Sequence, residues 1–181
     1  ADIEGLMEVL NVPLNFEMAA TEEMQQIALR HKPHAVCIVP EKREERTTEG
    51  GLEVAREENA LAHYIAPLRD AGCRVSIFIA AAQRQIAAAH RIGAQVIELH
   101  TGAYCDAHAD GRFDARDAEL EKLTHMAAFA HGLGLEVHAG HGLTCIEGGC
   151  ELADAKDQHI LVMDRRQPLD RGRDADGLAA M

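Results

Sequence analysis

The sequence predicts an α/β fold built on a parallel sheet, and three observations predict it. Short β-rich runs alternate with longer helical patterns along the chain. The runs are largely apolar, as strands buried on both faces must be. Ionisable residues stand at the ends of several of them: Glu17, Glu98 and, just past the last, His141. Acidic and imidazole groups at successive strand ends point to one active site at the carboxyl edge of the sheet.

The chain opens inside a helical pattern, residues 3–10, and the β-rich runs cover 13–18, 35–39, 74–79, 95–100 and 135–139. After the first run, Thr21-Glu22-Glu23 reads as an N-cap followed by acidic residues, where the helix dipole favours them. Met24, Ile27 and Ala28 then supply an apolar face at helical spacing. Further helices fit 52–71, 81–92 and 117–133, with Gly72, Gly93 and Gly134 directly after them as stop signals. Strand alternation puts Asn15 and Glu17 on one face and Leu14, Phe16 and Met18 on the other. Glu98 and His100 repeat that arrangement against Ile97 and Leu99.

Two architectures fit this pattern, an open doubly wound sheet and a (β/α) barrel. No GxGxxG turn follows the first run, which weakens the dinucleotide-binding version of the first. Chemistry at several strand ends suits the second, where those ends converge on one mouth. Glu17 and Glu98 would then point inward and their strand neighbours would meet the helices. A complete barrel needs eight strands. The expectation is therefore an incomplete (β/α)8 TIM barrel of about five βα units over residues 1–144, followed by a divergent tail, 145–181. Residues 164–181 hold charges, Gly and Pro with little periodicity and read as loop or disorder.

Composition sets further bounds. The 181 residues suffice for one domain with a real core, and a 47% hydrophobic fraction argues against disorder. Aromatic residues make up 3% and Trp is absent, so Ala, Leu, Ile and Val must fill the interior. A formal net charge of −12 disfavours nucleic-acid and anionic-membrane partners. No apolar run approaches a membrane span, and Ala1-Asp2-Ile3-Glu4-Gly5 lacks the order of a signal peptide. Cys37, Cys73, Cys105, Cys145 and Cys150 form an odd set without a CxxC pair, which fits reduced cytosolic thiols. Their spacing to nearby histidines matches no compact four-ligand zinc site, so no metal is expected.

Ala139-Gly140-His141-Gly142-Leu143 carries the most information. Flanking glycines let backbone amides approach a ligand closely, so a histidine between them is poor core filler. This segment joins a larger set: Asn15-Phe16-Glu17-Met18-Ala19, Lys32-Pro33-His34, Val39-Pro40-Glu41-Lys42-Arg43 and Thr47-Thr48-Glu49-Gly50-Gly51-Leu52. Ser76-Ile77-Phe78-Ile79 and Ile97-Glu98-Leu99-His100-Thr101-Gly102 complete it. In order and spacing these pieces resemble the pyridoxine 5'-phosphate synthase family over residues 1–144.

The resemblance implies a (β/α)8 barrel, with this chain spanning the third to seventh strands. It implies condensation of 1-deoxy-D-xylulose 5-phosphate with 3-amino-2-oxopropyl phosphate to pyridoxine 5'-phosphate, inorganic phosphate and water. It implies no organic cofactor or metal, a cytoplasmic location, and homo-oligomers, usually octamers. By motif, Glu17 resembles the catalytic base, Glu98 the group that stabilises transition-state charge, and His141 the proton donor. Gly142 resembles a backbone contact to the aminoketone phosphate. Thr47 resembles the deoxyxylulose phosphate contact on a lid loop, 41–51. His100, Thr101 and Tyr104 lie near the same mouth without an assigned role, and His34, His63 and His125 read as surface or helix histidines. His138 departs from the family, which usually has Asn there. Nothing after Thr144 matches the family's eighth strand, and its first two strands have no counterpart here. A one-base shift within permissible codons for 166–177 gives a segment similar to that eighth strand, so a frameshift is one expected origin of the tail. The rival expectation is a catalytically inactive phosphate-binding barrel remnant. A Schiff-base aldolase lacks support, since Lys42 sits in the charged loop and no Lys lies at a strand end.

Overall fold

A computed structural model describes residues 2–41, 50–141, 143 and 161–163. Within them the chain runs α1 (Asp2–Val9), β1 (Asn15–Met18), α2 (Glu22–His31) and β2 (Ala35–Ile38). A 3₁₀ turn (Val54–Arg56) leads into α3 (Glu58–Asp70), β3 (Arg74–Ile79), α4 (Gln83–Ile92) and β4 (Val96–His100). Next come α5 (Gly102–Ala109), α6 (Phe113–Gly132), β5 (Glu136–Gly140) and β6 (Leu161–Met163). The strands form one sheet in the order of the sequence; β1 to β5 are parallel and β6 runs antiparallel to β5. This is an α/β fold, and its five parallel strands occupy the five predicted runs. The sheet is not closed among the described residues.

Sequential order means that the sheet has no switch point, the feature that defines a doubly wound topology. Pairing register fixes which side chains share a face. Val36, Val75, Ile77, Ile97, Leu99 and Val137 point to one side and pack in a single core with Leu61, Ile65 and Leu68 of α3, Ile86 of α4 and Leu123 of α6. These strand residues are fully buried, so the aliphatic interior required by the low aromatic content is realised. The opposite face carries Glu17, Cys37, Ser76, Phe78, Glu98, His100 and His138, which the register brings side by side. Met18 is buried and Phe16 packs against the core, as their strand parity requires.

Local signals explain most helix boundaries. Thr21 caps α2 with its hydroxyl accepting from the Met24 amide at 3.3 Å, and Glu22 and Glu23 occupy the first turn. Gly93 closes α4 with φ 89. Several features differ from expectation; α6, for one, begins at Phe113, four residues before the predicted start at 117. The helix predicted from residue 52 begins at Glu58 instead. The Leu52 amide donates to Phe78 O at 2.8 Å, and Gly51, at φ 76, lies against the end of β3. A Cβ there would sit 2.6 Å from the Ile79 carbonyl carbon, so only glycine lets the chain cross so close. A further difference is α5, which the sequence did not announce. Its apolar residues are distributed around the helix without a periodic stripe, and it is held by packing on α6. Beyond these elements, Leu161–Met163 adds a short strand antiparallel to β5 within the divergent tail, and residues 164–181, read from the sequence as loop or disorder, lie outside the described residues.

Candidate active site

At the carboxyl ends of β1, β3 and β4 the face that carries Glu17 and Glu98 opens into a pocket of about 210 Å³. Glu17, Phe78, Glu98, His100 and His141 line it, with Val39, Pro40, Gly50 and Gly51 along its rim. The structure thus brings together the three catalytic candidates Glu17, Glu98 and His141. Thr47 and Gly142 lie outside the described residues, as do Lys42, Cys145 and Cys150. His34, His63 and His125 are exposed, away from the pocket lining.

The two carboxylates occupy different environments although they face the same space. Glu17 is exposed, whereas Glu98 is 5% exposed. Burial, reinforced by the negative charge of Glu17, pushes the Glu98 carboxyl up to about 7, and the Cys37 thiol bonded to it opposes the rise. Cys37 Sγ lies 3.9 Å from Glu98 Oε2. Burial, and then the Glu98 charge, raise that thiol well above the ordinary cysteine range, so it remains a protonated donor. One carboxyl is therefore poised to carry a proton near neutrality while its neighbour faces solvent, an arrangement suited to acid–base exchange.

Gly140 makes room for Glu98. A Cβ at that position would lie 2.1 Å from Glu98 Oε1 and 2.9 Å from its carboxyl carbon. Gly140→Ala is expected to destabilise the fold by roughly 1–3 kcal/mol through this overlap, read as a lower urea midpoint. An unchanged midpoint would mean that the carboxylate moves aside freely.

His141 follows β5 directly and has φ 76. Its ring stacks on His100 with centroids 4.6 Å apart, and Phe78 stands at 5.3 Å from His100 and 6.0 Å from His141. Farther down the same face, His138 Nε2 lies 2.7 Å from Glu136 Oε1, and Glu136 also pairs with Arg74. Burial works against the Glu136 charge, but bonds from Arg74 and His138 outweigh it and hold the carboxyl below its usual range. His138 is thereby tied toward the start of β5 and away from His141.

Sequence reasoning missed Cys37 as the partner of Glu98, and Phe78 and His100 as the walls around His141. A signal existed in strand parity: Cys37 and Phe78 share the face of Glu98, but only the register between strands reveals it. Among the described residues, no cluster of three or more His, Cys, Asp or Glu side chains could hold a metal ion. Also among these residues, no helix is long and apolar enough to cross a membrane.

Comparison with known proteins bears on this site. The family model described as "Pyridoxal phosphate biosynthesis protein PdxJ" matches residues 1–148. A protein of Roseobacter denitrificans named pyridoxine 5'-phosphate synthase is 88% identical over 144 residues, 80% of this chain and 58% of that protein. Proteins of the same name from Ruegeria pomeroyi and Jannaschia sp. are 83% and 69% identical, over 80% and 79% of this chain. The chain spans 58% of the length of each of these relatives. The segment matched by the family model contains β1 to β5 and each of the pocket-lining residues, and on that match the chain belongs to the PdxJ family.

Proposed function

We propose that this chain carries the central part of a pyridoxine 5'-phosphate synthase. In this reading it joins 3-amino-2-oxopropyl phosphate to 1-deoxy-D-xylulose 5-phosphate, and pyridoxine 5'-phosphate, inorganic phosphate and water leave. The observation that carries the reading is the convergence of Glu17, Glu98 and His141 on one pocket at strand ends. The names of relatives up to 88% identical support it. Sequential parallel strands, with the helices packed on one face, support β1 to β5 as consecutive strands of a (β/α)8 barrel, the third to the seventh.

Imine formation, phosphate elimination and ring closure each require a proton to be moved at carbon or oxygen. Glu17, open to the pocket, serves as the base. Glu98, with its carboxyl raised to about 7, holds charge or a proton beside developing charge. His141 returns a proton to the leaving oxygen. Thr47 contacts deoxyxylulose phosphate and the Gly142 amide contacts the aminoketone phosphate, both by motif. The enzyme works without metal or organic cofactor, resides in the cytoplasm and assembles with copies of itself, as the resemblance implies.

The test is direct: the chain is incubated with both substrates, and pyridoxine 5'-phosphate and inorganic phosphate are measured together. Equal amounts of the two products are expected. Binding of either phosphate with no product would identify a non-catalytic remnant.

A further inference from the structure

We propose that the His100–Thr101 step at the exit of β4 is the positioning element for His141, with Thr101 fixing its main chain and His100 its ring. The proposal rests on the reading of His141 as proton donor. His141 is a non-glycine residue at φ 76, a backbone region that its surroundings must impose. Its own strand ends at Gly140, so the constraint has to come from elsewhere.

Thr101 supplies it. This residue is 2% exposed, and its Oγ1 lies 2.7 Å from Gly140 O and 2.8 Å from His141 O. One hydroxyl proton is shared between the two carbonyls that flank the turn. The Thr101 amide also donates to Gly140 O at 3.0 Å. Behind it, the Cys105 thiol reaches both Thr101 Oγ1 and His141 O at 3.8 Å. The start of the next helix therefore grips the peptide that presents His141.

His100 sets the ring. Its Nδ1 accepts from the Gly102 amide at 3.1 Å, so the proton of the neutral imidazole resides on Nε2. Glycines hold it from two sides: a Cβ on Gly102 would come 2.4 Å from Cε1, and one on Gly50 would come 2.7 Å from Nε2. Held in this way, His100 offers a flat wall against which His141 stacks, 4.6 Å away and inclined by 30°. Neither residue is asked to transfer a proton. They act on the reaction through the direction in which His141 points, and small displacements of a reacting group are costly in rate.

The experiment compares Thr101→Val, which keeps the size and loses the hydroxyl, with Thr101→Ser, which retains it. Two quantities are read in the 181-residue chain. The first is the NMR shift of the His141 Hε1 proton, which the stacked His100 ring displaces from the free-histidine value. That displacement is expected to collapse in Thr101→Val and to persist in Thr101→Ser. The second is condensation, where Thr101→Val should lower kcat roughly 10- to 100-fold with KM little changed, and Thr101→Ser should restore it. A His141 shift that is at the free value in the unsubstituted chain, or untouched in Thr101→Val, overturns the proposal. An equal loss in Thr101→Ser and Thr101→Val also overturns it, because the hydroxyl would then be irrelevant. Should the expected NMR pattern appear in a chain with no condensation activity, the synthase reading fails and the clamp on His141 stands.

Discussion

Glu17→Gln is expected to leave the chain folded and to lower turnover about 10²–10⁴-fold, the range that general acid–base groups contribute. The side chain is exposed at β1 and keeps its shape in the variant, so little packing is lost. Its charge has a second effect, because it helps to push the Glu98 carboxyl up. The variant should therefore also move Glu98 back toward the ordinary carboxylate range. Steady-state rates measured across pH separate the two effects. A large rate loss at every pH identifies Glu17 as the base. A displaced pH profile with an unchanged maximum would reduce it to an electrostatic neighbour of Glu98.

Glu98→Gln gives the other large effect, and it is one of stability. The Glu98 carboxyl rises from an ordinary 4.5 to about 7 in the folded chain. The native state therefore binds this proton more tightly than the unfolded state does. Its contribution to stability is present below pH 4.5 and is lost as pH rises through 7. The span between those values corresponds to about 3 kcal/mol. Glutamine carries no charge to desolvate, and its amide oxygen can still accept from Cys37. Urea unfolding should thus find the variant more stable than the parent at pH 8, by up to about 3 kcal/mol, and nearly equal at pH 4. The same difference at both pH values would show that Glu98 titrates as if it were in solvent.

The frame of this protein was legible because it is written in local signals. Alternation along β1 and β4 separated Glu17 and Glu98 from the apolar residues between them, and the structure retains that separation. Thr21 and Gly93 marked helix ends through capping chemistry that needs only near neighbours. The family motifs group His141 with the two carboxylates, and the three line one pocket. Other features depend on contacts distant in sequence. Cys37 meets Glu98 across 61 positions, and Thr101 meets the Gly140 and His141 carbonyls across 39 and 40. No periodicity encodes such meetings. The late start of α3 has the same origin, since the close approach of Gly51 to β3 overrides the helical pattern of the following residues. The short α5 shows the converse: a helix without an amphipathic stripe is specified by what it packs on, here α6.

The division of each strand between two faces has a consequence for how this protein can change. On β4, Ile97 and Leu99 belong to the aliphatic core, while Glu98 and His100 belong to the pocket, and these two sets interleave one residue at a time. Substitutions at the core parity therefore act on the free energy of folding, while those at the pocket parity act on chemistry and, at buried Glu98, on folding as well. A lineage can drift in its core without retuning its reaction, or remodel its reaction on an unchanged scaffold. The two kinds of change meet at Gly140, where a single added methyl group would collide with Glu98, and at Thr101, whose hydroxyl joins the ends of β4 and β5. Variation at those two positions is constrained from both sides at once.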